Sequence, residues 1–145
     1  MEISTIGFTK PSAASFFGRL RSARVEQLVD VRVHNVSQLA GFAKRDDLRF
    51  FLRELCSVGY CHEPLLAPTE ELLKDYRNKV IRWTEFEKRF MDLLETRDIA
   101  HQLSRDLVGS RPVLLCSEHT PERCHRRLVA EYLNDHWGDV TIVHL

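Results

Sequence analysis

Cys116, Glu118, Cys124, His125 and Arg126 fall within one short stretch of a 145-residue chain. Their side chains suggest four kinds of chemistry. A cysteine becomes a nucleophile when a cation or a helix N-terminus lowers its pKa. Arginine offers a planar fork that grips phosphate or carboxylate through paired hydrogen bonds. Glutamate acts as a general acid or base when burial shifts its pKa. Cysteine and histidine together are zinc ligands.

The local pattern says how these side chains are presented. Val113-Leu114-Leu115-Cys116 is an apolar run that reads as a strand ending at the cysteine. Thr120, Pro121 and Glu122 supply an N-cap, a first-turn proline and a first-turn acid, so a helix is expected to start there and to end at Gly138. Cys124, His125 and Arg126 would then lie near its first turn, where the helix dipole favours a thiolate or a bound anion. An anion subsite is expected at Arg126, with His125 beside it. Cys116 and Cys124 are candidate reactive thiols, and each also reads as a small buried hydrophobe. Glu118 either handles a proton or caps the loop. Zinc fits less well. Cys116, His119, Cys124 and His125 do not follow zinc-finger spacing, and neighbours such as Cys124 and His125 point in different directions on a helix. No metal and no cofactor is therefore expected.

The elements that must position this stretch alternate between strand and helix. Ile3–Gly7 reads as a strand, followed by a helix over Ser12–Ala23 whose apolar face carries Phe16, Phe17 and Leu20. Glu26–Val33 is the clearest strand, near-continuously apolar as expected of a strand buried on both faces. Asp30 and Arg32 stand two apart at its end and so share a face. Either they form an ion pair that ties down the following loop, or Asp30 orients Arg32 towards a ligand. Asp46 is placed to cap a helix through Val58, ended by Gly59. Tyr60–Glu63 is a weaker strand, and Thr69 is placed to cap a helix to Lys79. Thr84-Glu85-Phe86-Glu87 fits a capping box, opening a helix that runs as far as Leu107 with a kink near Arg97. Val140–Leu145 is the last strand.

This order predicts one α/β domain over residues 1–145, with a mostly parallel, Rossmann-like sheet of about five strands and helices on both faces. In such open sheets ligands bind outside the carboxyl ends of the strands. The rule brings four loops to one edge: Gly7–Lys10, Arg32–Lys44, His62–Pro68 and Cys116–Arg126. It adds Thr9, Arg32, Ser37 and Lys44 to the candidate ligand-binding residues.

Composition sets outer bounds. The chain balances 21 Lys and Arg against 21 Asp and Glu, which argues against non-specific, charge-driven binding to nucleic acid or membrane. No apolar stretch is long enough to span a bilayer. Met1-Glu2-Ile3-Ser4 does not open a signal peptide, so a cytoplasmic location with reduced thiols is expected.

Several segments together resemble the bacterial and archaeal family called domain of unknown function 488. They are Thr5-Ile6-Gly7, Leu28-Val29-Asp30-Val31-Arg32, Ser37, and Leu114-Leu115-Cys116-Ser117-Glu118 with Pro121-Glu122-Arg123-Cys124-His125-Arg126. Phe8 stands where that family usually has a small polar residue. Val33-His34-Asn35-Val36 stands where a proline often follows the strand's arginine. The resemblance implies a shared fold and site and no particular reaction. A weaker similarity links Cys116 and the following loop to rhodaneses and cysteine phosphatases, although the loop lacks their glycines and carries Glu118, which would repel phosphate.

Three functional readings follow. The first is a small enzyme acting on a nucleotide-like or nucleic-acid-derived anion. The second is a non-catalytic module that binds an anion or docks onto a nucleic-acid enzyme. The third is thiol chemistry of sulfurtransferase or redox type.

Overall fold

The computed structural model describes residues 1–36, 41–103, 105, 111–118 and 121–145. Ser37, His119 and Thr120 lie outside the described residues. Five strands form one sheet in the order β3-β2-β4-β1-β5. They are β1 (Glu2–Gly7), β2 (Gln27–Asp30), β3 (Gly59–His62), β4 (Pro112–Cys116) and β5 (Thr141–His144). All four pairings are parallel, as expected when helices connect the strands. The register sets Gly7 beside Cys116 and Asp30 beside Leu115, so β1, β2 and β4 end nearly level.

Alternation along the strands divides the core in two. Leu28, Val113 and Leu115 face one side, where they meet Phe16, Phe17 and Leu20 of α1 (Ala13–Ser22) and Leu48 of α2 (Arg45–Phe51). Val29 and Leu114 face the other side. There they meet Leu72 of α3 (Glu70–Arg77), Phe86, Phe90 and Leu94 of α4 (Trp83–Thr96), Ile99 of α5 (Ile99–Gln102), and Leu128, Val129 and Leu133 of α6 (His125–Trp137). The chain is thus an α/β domain with a parallel, Rossmann-like sheet covered on both faces. Each buried Phe or Leu contributes about 1.5–3 kcal/mol through its removal from water.

Several element ends differ from the sequence pattern, each for a local reason. Lys44, not Asp46, is the N-cap residue of α2, and the helix continues as a π-helical turn over Leu52–Cys56. That turn ends at Ser57, whose left-handed backbone does what Gly59 was expected to do, and Gly59 instead opens β3. Thr84 lies inside α4, because the helix begins one residue earlier at Trp83, which stacks on Phe86 with ring centroids 5.2 Å apart. The helix ends at Thr96, and Asp98 in the left-handed region separates it from α5. Thr69 and Gly138 take the capping places that the sequence assigns them, while Ser12, expected as the first helical residue, is the N-cap of α1 and accepts from the Ser15 amide.

Candidate functional site

The level ends of β1, β2 and β4 bring the reactive residues to one edge of the sheet. Cys116 is the last residue of β4 and is buried. The expected helix start at Pro121 is not used. Residues 121–123 form a turn in which the Cys124 amide donates to the Pro121 carbonyl at 3.2 Å, and α6 begins only at His125. Cys124 is therefore the residue before the helix, with extended dihedrals (φ −132°, ψ 137°). This changes where its side chain points. Two neighbours inside a helix diverge, but a residue in extended backbone and the first residue of a helix are under no such constraint. The donor atoms of Cys116, Cys124 and His125 all lie within 4.8 Å of one another, and all three residues are buried.

Hydrogen bonds fix this cluster. His125 Nε2 lies 2.6 Å from the Val31 carbonyl oxygen. A carbonyl only accepts, so Nε2 carries the proton and Nδ1 is the ring nitrogen left to accept. Cys116 Sγ is 3.5 Å from His125 Nδ1 and 3.8 Å from Nε2. The ring packs edge-on to Phe90, with centroids 5.6 Å apart. The Arg126 guanidinium donates to Cys124 Sγ at 3.5 Å.

The electrostatics of the two cysteines diverge. The hydrogen bond from Cys124 holds the Cys116 thiol well below the ordinary cysteine range; burial opposes this, and the charges of His125 and Arg126 add to it. Burial pushes Cys124 well above that range, and the neighbouring Cys116 sulfur pushes it further. For His125 burial pulls downward, but the Cys116 sulfur and the Val31 carbonyl prevail and raise it.

The end of β2 is built differently. Arg32 and Asp30 form a bidentate pair, Nε to Oδ1 and Nη2 to Oδ2, both at 2.8 Å. Tyr60 donates its hydroxyl to Asp30 Oδ2 at 2.6 Å, and Asn35 donates to the same oxygen at 3.3 Å. Arg32 Nη1 donates to the Ala43 carbonyl at 2.7 Å, which ties the far end of the β2–α2 connection to the strand. Burial would raise the Asp30 pKa, but Arg32 and Tyr60 hold it below the usual carboxylate value. Burial raises the pKa of the Tyr60 hydroxyl, and the contact with Asp30 raises it further. Phe8, the unusual residue of the opening motif, is buried with the Arg32 guanidinium 5.2 Å from its ring centroid.

The loop between Cys116 and Cys124 is pinned from below. Thr9 donates its hydroxyl to the Ser117 carbonyl, and Arg126 donates to the Glu118 carbonyl. Gly7 makes this approach possible. A Cβ there would lie 1.7 Å from the Glu118 carbonyl oxygen and 2.9 Å from Arg126 Nη1. Arg126 is thus buried beneath the loop.

A cleft of about 490 Å³ opens above the cluster. Cys116, Cys124 and His125 line it, as do Arg32, Glu118 and Arg123 from the strand ends and the loop before α6. Tyr76 and Arg77 of α3 and Trp83 and Phe86 of α4 form another wall. Glu118 and Arg123 are exposed. Thr9 and Lys44 are also exposed, and neither is among the lining residues. The structure therefore gathers Cys116, Glu118, Cys124, His125 and Arg32 around one space, with Arg126 beneath it.

A family model described as Domain of unknown function DUF488 matches residues 12–133. The chain belongs to this family. Neither a curated protein nor a solved structure matches it. No helix among the described residues is long and apolar enough to cross a membrane.

The α3–α4 wall is the part of the site that the sequence reading misses. Its signal was present in the spacing of Tyr76, Trp83 and Phe86 across a short connection. Tyr76 packs on both, with ring centroids 5.5 Å from Trp83 and 5.2 Å from Phe86. Strand-end rules do not point to these residues, because they come from the helical layer.

Proposed function

We propose that the protein is a small enzyme that binds a nucleotide-like organic anion in the strand-end cleft and presents it to the Cys116–Cys124–His125 cluster. The observation that carries this reading is the pairing of cations with an aromatic wall above a reactive floor. Asp30 balances the charge of Arg32, so Arg77 and Arg123 supply the field that attracts an anion, against Glu118. Trp83 and Tyr76 are half-buried and line the cleft, where a flat ligand can pack against them. Stacking of a base on an aromatic ring is worth about 1–3 kcal/mol.

Calorimetry with a panel of nucleoside phosphates tests this reading, with inorganic phosphate and free nucleosides as controls. Nucleotides are expected to bind better than either part alone. Arg123→Ala and Trp83→Ala are each expected to weaken binding by about tenfold, which corresponds to about 1.4 kcal/mol. Absence of binding across the panel, or affinity unchanged in both variants, would refute it.

The exposure of Glu118 favours a second reading, a binding module without turnover. Tight binding with no product formed, and intact affinity in Glu118→Gln, would select this reading over the first.

A further inference from the structure

We infer that Cys116, Cys124 and His125 bind a single thiophilic divalent ion, of which zinc is the type, with its fourth coordination position open to the cleft. The inference takes the cleft as a ligand site from the reading above and adds the ion that a ligand would meet there.

Three observations carry it. The donor set is two sulfurs and one imidazole, converging within 4.8 Å. Three protein ligands with the fourth place left open are the arrangement of catalytic zinc. Next, Zn–S and Zn–N bonds of about 2.3 and 2.0–2.1 Å at a tetrahedral angle place sulfur and nitrogen about 3.5 Å apart, and Cys116 Sγ lies 3.5 Å from His125 Nδ1. The sulfur is also 3.8 Å from Nε2, so it lies well to the side of the Nδ1 lone pair; an ion would seat itself on that lone pair and draw the sulfur round towards it. Finally, the outer contacts are those of a metal site. A ligating histidine donates its other N–H to a carbonyl or carboxylate, as Nε2 does to Val31, and Arg126 donates to a sulfur ligand.

The charges balance. Binding displaces the thiol protons and any proton on Nδ1, leaving two thiolates, a neutral imidazole and a divalent cation, with net charge zero. A neutral complex suits a buried floor. Arg126 beneath it and Arg123 at the cleft favour an anion in the fourth position. The helix start is what permits the site. A helix beginning at Pro121 would splay Cys124 and His125 apart.

The test uses the reduced full chain, stripped with a chelator under anaerobic conditions and titrated with cobalt(II) or zinc alone. One equivalent of cobalt is expected to give thiolate-to-metal charge-transfer absorption and the visible bands of a tetrahedral ion. Zinc should displace cobalt and protect Cys116 from iodoacetamide. Cys124→Ser and His125→Ala each remove a ligand and are expected to weaken the ion by more than the roughly 10–100-fold that loss of an outer partner costs. X-ray absorption of the zinc-loaded wild-type chain gives a readout independent of whether the variants fold, and should find two sulfur neighbours and one imidazole. A wild-type chain that gives no tetrahedral cobalt spectrum overturns the inference, as does rapid alkylation of Cys116 in the presence of zinc. If nucleotides still bind that chain, the cleft reading survives without the ion. If the ion binds and no nucleotide does, the metal site stands and the cleft reading falls.

Discussion

The ends of β2 and β4 lie side by side in the sheet, and both bury polar side chains, yet they are finished in opposite ways. At β2 the Asp30 carboxylate receives Arg32, Tyr60 and Asn35, and Arg32 spends a further donor on Ala43. Each charge meets its complement within the protein. At β4 the partners of Cys116 are Cys124 and His125, side chains that are themselves reactive and that line a cleft. Burial alone does not mark a functional group. What separates the two ends is whether the set of partners closes within the fold or opens onto a space that another molecule can enter.

This contrast predicts that damage at β2 is read as lost stability. Asp30→Ala leaves the Arg32 charge buried and uncompensated, which costs about 3–5 kcal/mol. Urea denaturation should show it as a lowered midpoint with an unchanged slope. The same carboxylate gives the pH dependence its sign. Its folded pKa lies below the unfolded value of about 3.9. Its contribution is therefore fully present above that value and is lost as pH falls through the folded pKa. The wild-type chain should lose stability in acid more steeply than Asp30→Ala. Equal acid slopes would mean that the pair contributes little and that the two strand ends are alike.

Gly7 tests the β4 end from its other side, where β1 flanks it. Gly7→Ala places a methyl group against the Glu118 carbonyl, so the loop above Cys116 must shift. Overpacking of this kind costs about 1–3 kcal/mol. The cobalt spectrum and the nucleotide affinity should change along with the melting temperature. A variant that loses only stability would show that the loop geometry does not matter to the cluster.

The smallest effect is expected at Lys44. It is exposed, precedes α2, and does not line the cleft. Lys44→Ala should change stability by less than about 0.5 kcal/mol. It should leave nucleotide affinity within a factor of two while Arg123→Ala lowers it, as calorimetry on the two variants would show.

Much of the fold was legible because its signals are local and one-sided. The apolar run Pro112–Cys116 coincides with β4, bounded by proline and by the first polar residues of the loop. The caps at Thr69 and Gly138 were readable because capping depends on a few neighbouring residues. The start of α6 was misread because Pro121 and Glu122 favour an earlier start. Contacts distant in sequence outweigh that preference. Thr9 and Arg126 hold the Ser117 and Glu118 carbonyls, and the chain turns once more before the helix begins. The error mattered, because it hid the convergence of Cys124 with His125. Arg32 was legible as one of two alternatives, but its bond to Ala43 spans a connection whose path no spacing reveals. Arg77 and Trp83 went unseen because tertiary packing, not the strand order, brings α3 and α4 to the cleft.

The position of β1 has a consequence for how the site comes into being. This strand lies between β4 and β5, with Ser4 beside Val113 and Glu2 beside Thr141, so both of its neighbours come from the far part of the sequence. Closing such long loops is entropically costly, and contacts of this range form late in folding. α1, α3 and α4 are built from short-range contacts and can form first. Gly7 cannot meet Cys116 until β4 docks. A refolding chain should therefore acquire most of its helical signal before its paired thiols, and intermediates caught on the way would expose to oxidation Cys116 and Cys124, which the finished edge of the sheet buries.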